Sequence, residues 1–305
     1  MALYGLDLLT APSMSRLTAS TFAVDAGAIV SAAAAAGFLF KPIRRGAARA
    51  LPIDPDNPVH ALALVLAVTL FGMQVTALVF TDLLATIGAQ PPQTLLDTLL
   101  TEAPLFILAA AGVGIFIRRR VPAAASRLGL VRPAWWHVVL SIAAAGVFLA
   151  VAIGLDSASH VLTPDVARRV DATSQHVFGR LTSPLDVAAL AVLAGVCEEL
   201  LFRGALQPRF GLIPTALLFA SIHSEYGFSL TLAAVFVLAI GLGLIRKYLN
   251  TTASMTAHVS YDLLAGSSIG GAAMYGAIAI EAVLVAVTMY ALWSRRRRAP
   301  VAKEP

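Results

Sequence analysis

Charge is scarce in this chain, and cysteine nearly absent. Of 305 residues only 13% are Asp, Glu, Lys or Arg, too few to cover the surface of an ordinary soluble domain. Mean hydropathy is +0.82 and 58% of residues are apolar, which places the chain in the multi-pass membrane class. The one cysteine, Cys197, excludes an internal disulfide and a Cys-rich zinc cluster. As a buried thiol with no adjacent base it is expected to be inert. There is no internal repeat, no low-complexity tail and no separate soluble domain. The longest polar stretch, about 156 to 183, has room for a short interfacial helix.

About nine apolar segments remain, near 22–40, 59–83, 98–117, 134–155, 184–203, 212–224, 229–246, 251–267 and 271–293. The expected fold is therefore all-α, a polytopic membrane helix bundle of about nine transmembrane helices, with eight as the alternative count. Ser183 followed by Pro184 makes a cap and first helical position for the fifth segment, and Pro133 is expected to start the fourth. The net charge of +5 is carried in clusters directly after apolar runs: Lys41 to Arg49, Arg118 to Arg132, Arg203 and Arg209, Arg246 and Lys247, and Arg295 to Arg298. Every odd-numbered span ends at such a cluster. The positive-inside rule then puts the N-terminus outside and the C-terminus in the cytoplasm, with the chain in the cell (inner) membrane. The clusters read as topology signals, not as a nucleic-acid surface. Arg16 before the first run and the basic run KPIRRGAAR after it reverse the bias of a cleavable signal, so that run is expected to be an uncleaved span.

Against this background the segment GVCEELLFRG, residues 195 to 204, places Glu198, Glu199 and Arg203 in apolar surroundings, where an unpaired charge is costly. At about 100° per residue, Glu199 and Arg203 share a helix face and can neutralise one another, while Glu198 points away. The same spacing puts Phe219 with His223 (FASIH) and His258 with Asp262 (HVSYD). Counted from the cytoplasmic ends, Glu198 lies about 8 Å deep, His258 about 10 Å and His223 about 18 Å. One carboxylate and two imidazoles can thus meet in a cytoplasm-facing cavity, as a general base with oxyanion support. A purely structural Glu199–Arg203 ion pair and hydrogen-bonded packing histidines are the competing reading. Asp25, Glu102 and Glu281 offer no reactive partner in sequence, His60 and His137 sit at cytoplasmic entries, and Trp135, Trp136 and Trp293 suit an interfacial belt.

EELLFR, FASIH and HVSYD, in that order on successive buried segments, resemble the EExxxR, FxxxH and HxxxN-or-D signatures of the CPBP family of intramembrane proteases. That family includes the Rce1-type CAAX prenyl endopeptidases and bacterial Abi-like proteins. The resemblance covers about residues 184 to 267. It implies an intramembrane endopeptidase in which Glu198 activates water, His223 helps to hold it, and His258 with Asp262 stabilises the oxyanion, with Glu199, Arg203 and Phe219 in support. An asparagine would donate through its amide; Asp262 donates only when protonated and otherwise orients His258. The chain divides into N-terminal transmembrane helices without an assigned motif (1–156), an extracytoplasmic loop (157–183), a CPBP-like catalytic core (184–294) and a basic cytoplasmic tail (295–305). The implied partners are membrane lipids and a peptide or protein substrate that is hydrophobic or lipid-modified.

Three alternatives stand beside this reading. A zinc hydrolase would use Glu198, His223 and His258 as ligands; otherwise no cofactor is called for. HExxH and GxGD are absent, which excludes site-2-type and presenilin-type chemistry in their usual forms. An ion-coupled transporter could use the same buried groups. A non-proteolytic relative serving bacteriocin immunity or as a membrane-protein partner could keep the motifs without the reaction. The alanine-rich, arginine-over-lysine composition suits a high-GC bacterium.

Overall fold

The computed structural model describes residues 19–267, 279–280 and 282–290. The expected ninth span at 271–293 and the basic tail lie mostly or wholly outside these; residues 282–290 are helical. In chain order the elements are α1 (Ala19–Gly37), α2 (Lys41–Ala47), α3 (Pro58–Phe80), α4 (Leu83–Gly88), α5 (Leu95–Gly112), α6 (Val121–Arg127) and α7 (Trp135–Leu162). Then come α8 (Pro164–Phe178), α9 (Pro184–Glu199), a π-helical segment (Leu200–Leu206), α10 (Gln207–Phe210), α11 (Leu212–Ser221), α12 (Leu230–Tyr248) and α13 (Thr251–Gly266). The architecture is an all-α, polytopic helix bundle, and among the described residues there is no strand.

Local chemistry sets the helix ends. Asn57 caps α3 by accepting from the Val59 and His60 amides, and Thr94 with Asp97 forms a capping box on α5. Ser183 caps α9 as expected, in a second capping box with Asp186 and with Pro184 at the first position. Pro133 does not start α7: the helix begins at Trp135 with Ala134 as its cap residue, so the proline precedes the helix. The polar stretch before α9 is shared between the end of α7 and the amphipathic α8, whose buried residues are Ala167, Val170 and Thr173.

Among the described residues four helices, α3, α5, α7 and α12, are long and apolar enough to cross a membrane, and five if the pair α1–α2, bent by 91° after Gly37, is counted as one span. By length and apolarity these are the first four and the seventh of the nine expected segments, without the shorter fifth, sixth and eighth. The reason is visible in the second half: α11 has 10 residues and α13 has 16, so α13 spans about 24 Å, less than the hydrocarbon thickness. These shorter helices are wrapped by the longer ones. α13 packs against α7, α9 and α12, while α9 packs against α5 and α13, which places α9 and α13 at the centre of the bundle. Apolar side chains such as Leu62, Leu70, Ile107 and Val147 are exposed on the outer helices, as expected of a surface solvated by lipid.

Candidate active site

Close approach of α9 and α13 begins with Gly195. A Cβ there would lie 2.6 Å from Val259 Cγ2 and 3.1 Å from the Val259 amide nitrogen, so only glycine lets the two backbones come this near. One turn on, the same face of α9 presents Glu199. The facing stripe of α13 holds Ser254, His258 and Asp262 at four-residue intervals, stacked on one face. Packing and chemistry are thus set by the same register.

His258 is the hub. Its Nδ1 lies 3.0 Å from Glu199 Oε1, and its Nε2 lies 3.8 Å from Glu198 Oε2 and 3.5 Å from Asp262 Oδ2. Glu199 and Arg203 are almost wholly buried, at 0% and 1% exposure, and Glu198 and His258 at 5% and 7%. Glu199 is held from three sides: Arg203 Nη1 at 2.9 Å, His258 Nδ1, and Ser254 Oγ, which is 2.5 Å from Oε2. The arginine contact is an ion pair by distance, without an aligned N–H, because Nη1 has no hydrogen-bond acceptor. Arg203 also donates from Nη2 to the Ala239 carbonyl at 3.3 Å. Removing either member of such a buried pair strands the other charge.

The α-helix gives way to π-helix directly after Glu199. Arg203 therefore sits in a wider turn than the 100° arithmetic assumes, yet it still reaches Glu199. π segments are frequent at functional sites because they re-aim side chains. Arg203 lies 4.2 Å above the Phe219 ring, a cation–π contact. Phe219 also meets His223 at 4.7 Å, His258 at 5.9 Å and Phe202 at 5.1 Å between ring centroids. This phenylalanine links all three motifs.

His223 is not on a helix. α11 stops at Ser221, two residues earlier. Its Nδ1 is 2.9 Å from the Phe219 carbonyl, so Nδ1 carries the proton in that bond and, in a neutral ring, Nε2 is left as an acceptor. The structure thus brings Glu198, Glu199, Arg203, His258 and Asp262 into direct contact, and joins His223 to them through the Phe219 ring. No ion pair or hydrogen bond joins Glu198 to His223 among the described residues.

Two residues escaped the sequence reading. Ser254, which buttresses Glu199, lies one turn before His258, so the four-residue stripe was its only signal. Glu102 was expected to lack a reactive partner. Instead α5 packs on α9, and the Glu102 carboxylate feels the charges of Glu198, His258 and Asp262. Its Oε2 is buried without a hydrogen-bond partner, as is Glu198 Oε2. No helical periodicity connects Glu102 to a motif about a hundred residues away.

Among the described residues no group of three or more His, Cys, Asp or Glu side chains is arranged to hold a metal ion. Glu198, His223 and His258 are accordingly not gathered as a ligand set. What the geometry offers is a buried carboxylate oxygen with a free lone pair beside an imidazole fixed from its far nitrogen by a second carboxylate.

Residues 180–264 match the family model "Type II CAAX prenyl endopeptidase Rce1-like". A curated relative, "Uncharacterized protein YpbD" of Bacillus subtilis (strain 168), is 36% identical over 92 residues, which is 29% of this chain and 48% of the relative. The chain therefore spans about half the length of the curated relative it matches. No solved structure matches. The matched region contains α9, the π segment, α11 and nearly all of α13, and with them all three motifs, so the similarity to the Rce1-like family model lies in the part of the chain that holds the site.

Proposed function

We propose that the chain is an intramembrane endopeptidase that hydrolyses a peptide bond with water activated by Glu198. The observation that carries this reading is Glu198 Oε2: buried, without a hydrogen-bond partner, and 3.8 Å from His258 Nε2. A buried oxygen left open is costly unless something occupies it, and a water bound there would have a base on one side and an imidazole on the other.

In this mechanism Glu198 takes one proton as the water oxygen attacks the carbonyl carbon. The oxyanion that forms is stabilised by His258, donating from Nε2, and the proton on Glu198 passes to the leaving amine. Glu199 fixes the other side of the His258 ring, much as a carboxylate orients an imidazole in other hydrolases. Asp262 orients the same ring when ionised or donates when protonated. His223 supports the water through Nε2, while Arg203, Ser254 and Phe219 hold the frame. No step requires a metal, and the metal content of purified, active protein tests that: a stoichiometric metal whose removal abolishes activity would contradict it. The substrate class is a hydrophobic or lipid-modified peptide presented from the membrane, with the N-terminus of the enzyme outside and its C-terminus cytoplasmic.

The experiment is a comparison of membrane peptides in a Glu198→Gln strain and its parent. A small set of uncleaved substrates should accumulate in the variant at normal protein abundance. Identical peptide profiles, with any associated phenotype retained, would favour a non-proteolytic membrane partner instead.

A further inference from the structure

α3 packs against α1 and α11, whereas α5 packs against α9 and the π segment. The two leave a cleft between them, a cavity of about 530 Å³. Its walls are apolar: Leu66 and Leu70 from α3, Leu105 and Leu108 from α5, and Phe202 from the π segment. Leu66 and Leu108 are each 46% exposed, so the cleft is open to the lipid-facing surface. None of Glu198, His223 and His258 lines it. Phe202 stands between, with its ring against Phe219 on the catalytic side.

One end of this cleft is strongly cationic. Arg118, Arg119, Arg127 and Arg209 all line it, and among the described residues none of the four has an ion-pair partner. Arg119 donates to the Val113 carbonyl, but the buried Arg209 Nε has no hydrogen-bond partner. Burial, followed by the like charges of Arg209, Arg119 and Arg246, holds the Arg127 guanidinium below its usual range. Clustering of unpaired guanidinium groups is unfavourable unless an anion joins them, and guanidinium forks match phosphate oxygens in geometry.

We propose that the cleft between α3 and α5 binds one anionic glycerophospholipid, with its phosphate held by Arg119, Arg127 and Arg209 and its acyl chain between the leucines of α3 and α5. Cationic mouth and apolar body together select an anionic amphiphile, and the separation from Glu198 by Phe202 assigns the place to a resident lipid and not to the reacting peptide.

The test uses the full chain reconstituted in nanodiscs with equal parts phosphatidylglycerol and phosphatidylcholine, followed by native mass spectrometry of the released protein. Both lipids carry the phosphate, but the choline ammonium cancels its charge and is repelled by the arginines, so phosphatidylglycerol should be retained over phosphatidylcholine by roughly tenfold. The double variant Arg127→Gln/Arg209→Gln should abolish that preference. Ala111→Trp, which fills the cleft from an exposed position on α5 and leaves the arginines untouched, should lower phosphatidylglycerol retention as well and decides the matter if the double variant does not fold. Equal retention of the two lipids by the parent, or unchanged phosphatidylglycerol retention in Ala111→Trp, overturns the proposal. So does displacement of the lipid by a farnesylated peptide, which would assign the cleft to the lipid group of a substrate.

Discussion

Two helix pairs in this protein pack by the same device and put it to different ends. In α1 and α3, Gly27 faces Thr76 and Gly72 faces Ser31, where an added Cβ would sit 2.6 Å from the Ser31 Cβ. In α9 and α13, Gly195 faces Val259 at a similar separation. The difference lies in the polar groups. Ser31 and Thr76 each donate to the carbonyl four residues back in their own helix, at 2.7 Å, so neither hydroxyl is spent on a bond to the neighbouring helix. Glu199, Ser254 and His258 bond between helices instead, and Glu198 keeps an oxygen open. Close packing without chemistry is the mark of a scaffold; close packing that brings charges together makes a site.

The sharpest break of this contrast is Arg203→Ala. It leaves Glu199 buried with one fewer counter-charge and should destabilise the protein by about 3–5 kcal/mol, measured by thermal or denaturant unfolding in detergent. A polar deletion in α1 has no such consequence. Ser254→Ala should come next, with a loss of about 1.5–3 kcal/mol from a hydrogen bond to a charged group. Ser31→Ala, removing a hydroxyl bonded within its own helix, should change stability by less than about 0.5 kcal/mol. Equal effects of the two serine variants would erase the distinction between the pairs.

Gly195→Ala and Gly72→Ala refine it. Each overpacks its helix pair and should cost about 1–3 kcal/mol. Only Gly195→Ala should also lower kcat, because it moves Glu199 away from His258. The smallest effect belongs to the rim, where Asp82 caps α4 and pairs with Arg169 of α8. The Ala85 amide, then Arg169, hold its carboxyl below the usual carboxylate range. Its contribution is present above the unfolded value of about 3.9 and disappears as pH falls through the lower folded value. Solvent screening keeps it small: Asp82→Asn should cost less than about 1 kcal/mol at neutral pH and nothing in strong acid, read from unfolding curves at both pH values.

Helical periodicity made much of this legible. The start of α9 follows from Ser183 and Pro184, and the pairs Glu199–Arg203, Phe219–His223 and His258–Asp262 follow from four-residue spacing. What periodicity cannot carry is the neighbour across the gap. It leaves Glu199 satisfied by Arg203 alone, whereas the bundle adds His258 and Ser254, so the second glutamate of the motif is the one most tightly engaged. Nor does an apolar pattern distinguish π from α register at Leu200, because both bury the same residues. Glu102 is the plainest case: on its own helix it is an isolated carboxylate, and only the packing of α5 on α9 brings it to the site. Length counts fewer spans than the apolar pattern for a related reason, since α11 and α13 are buried within the bundle but too short to be counted by it.

The central claim, that Glu198 is a base and not a structural charge, is tested most directly by purifying Glu198→Gln beside the parent and measuring peptide hydrolysis and melting temperature on the same preparations. Glutamine keeps the shape and removes the basic oxygen. The account predicts a fall in kcat of about 10²- to 10⁴-fold with a melting temperature close to that of the parent. Full hydrolysis by Glu198→Gln, or a loss of activity that merely follows a loss of folding, would contradict it.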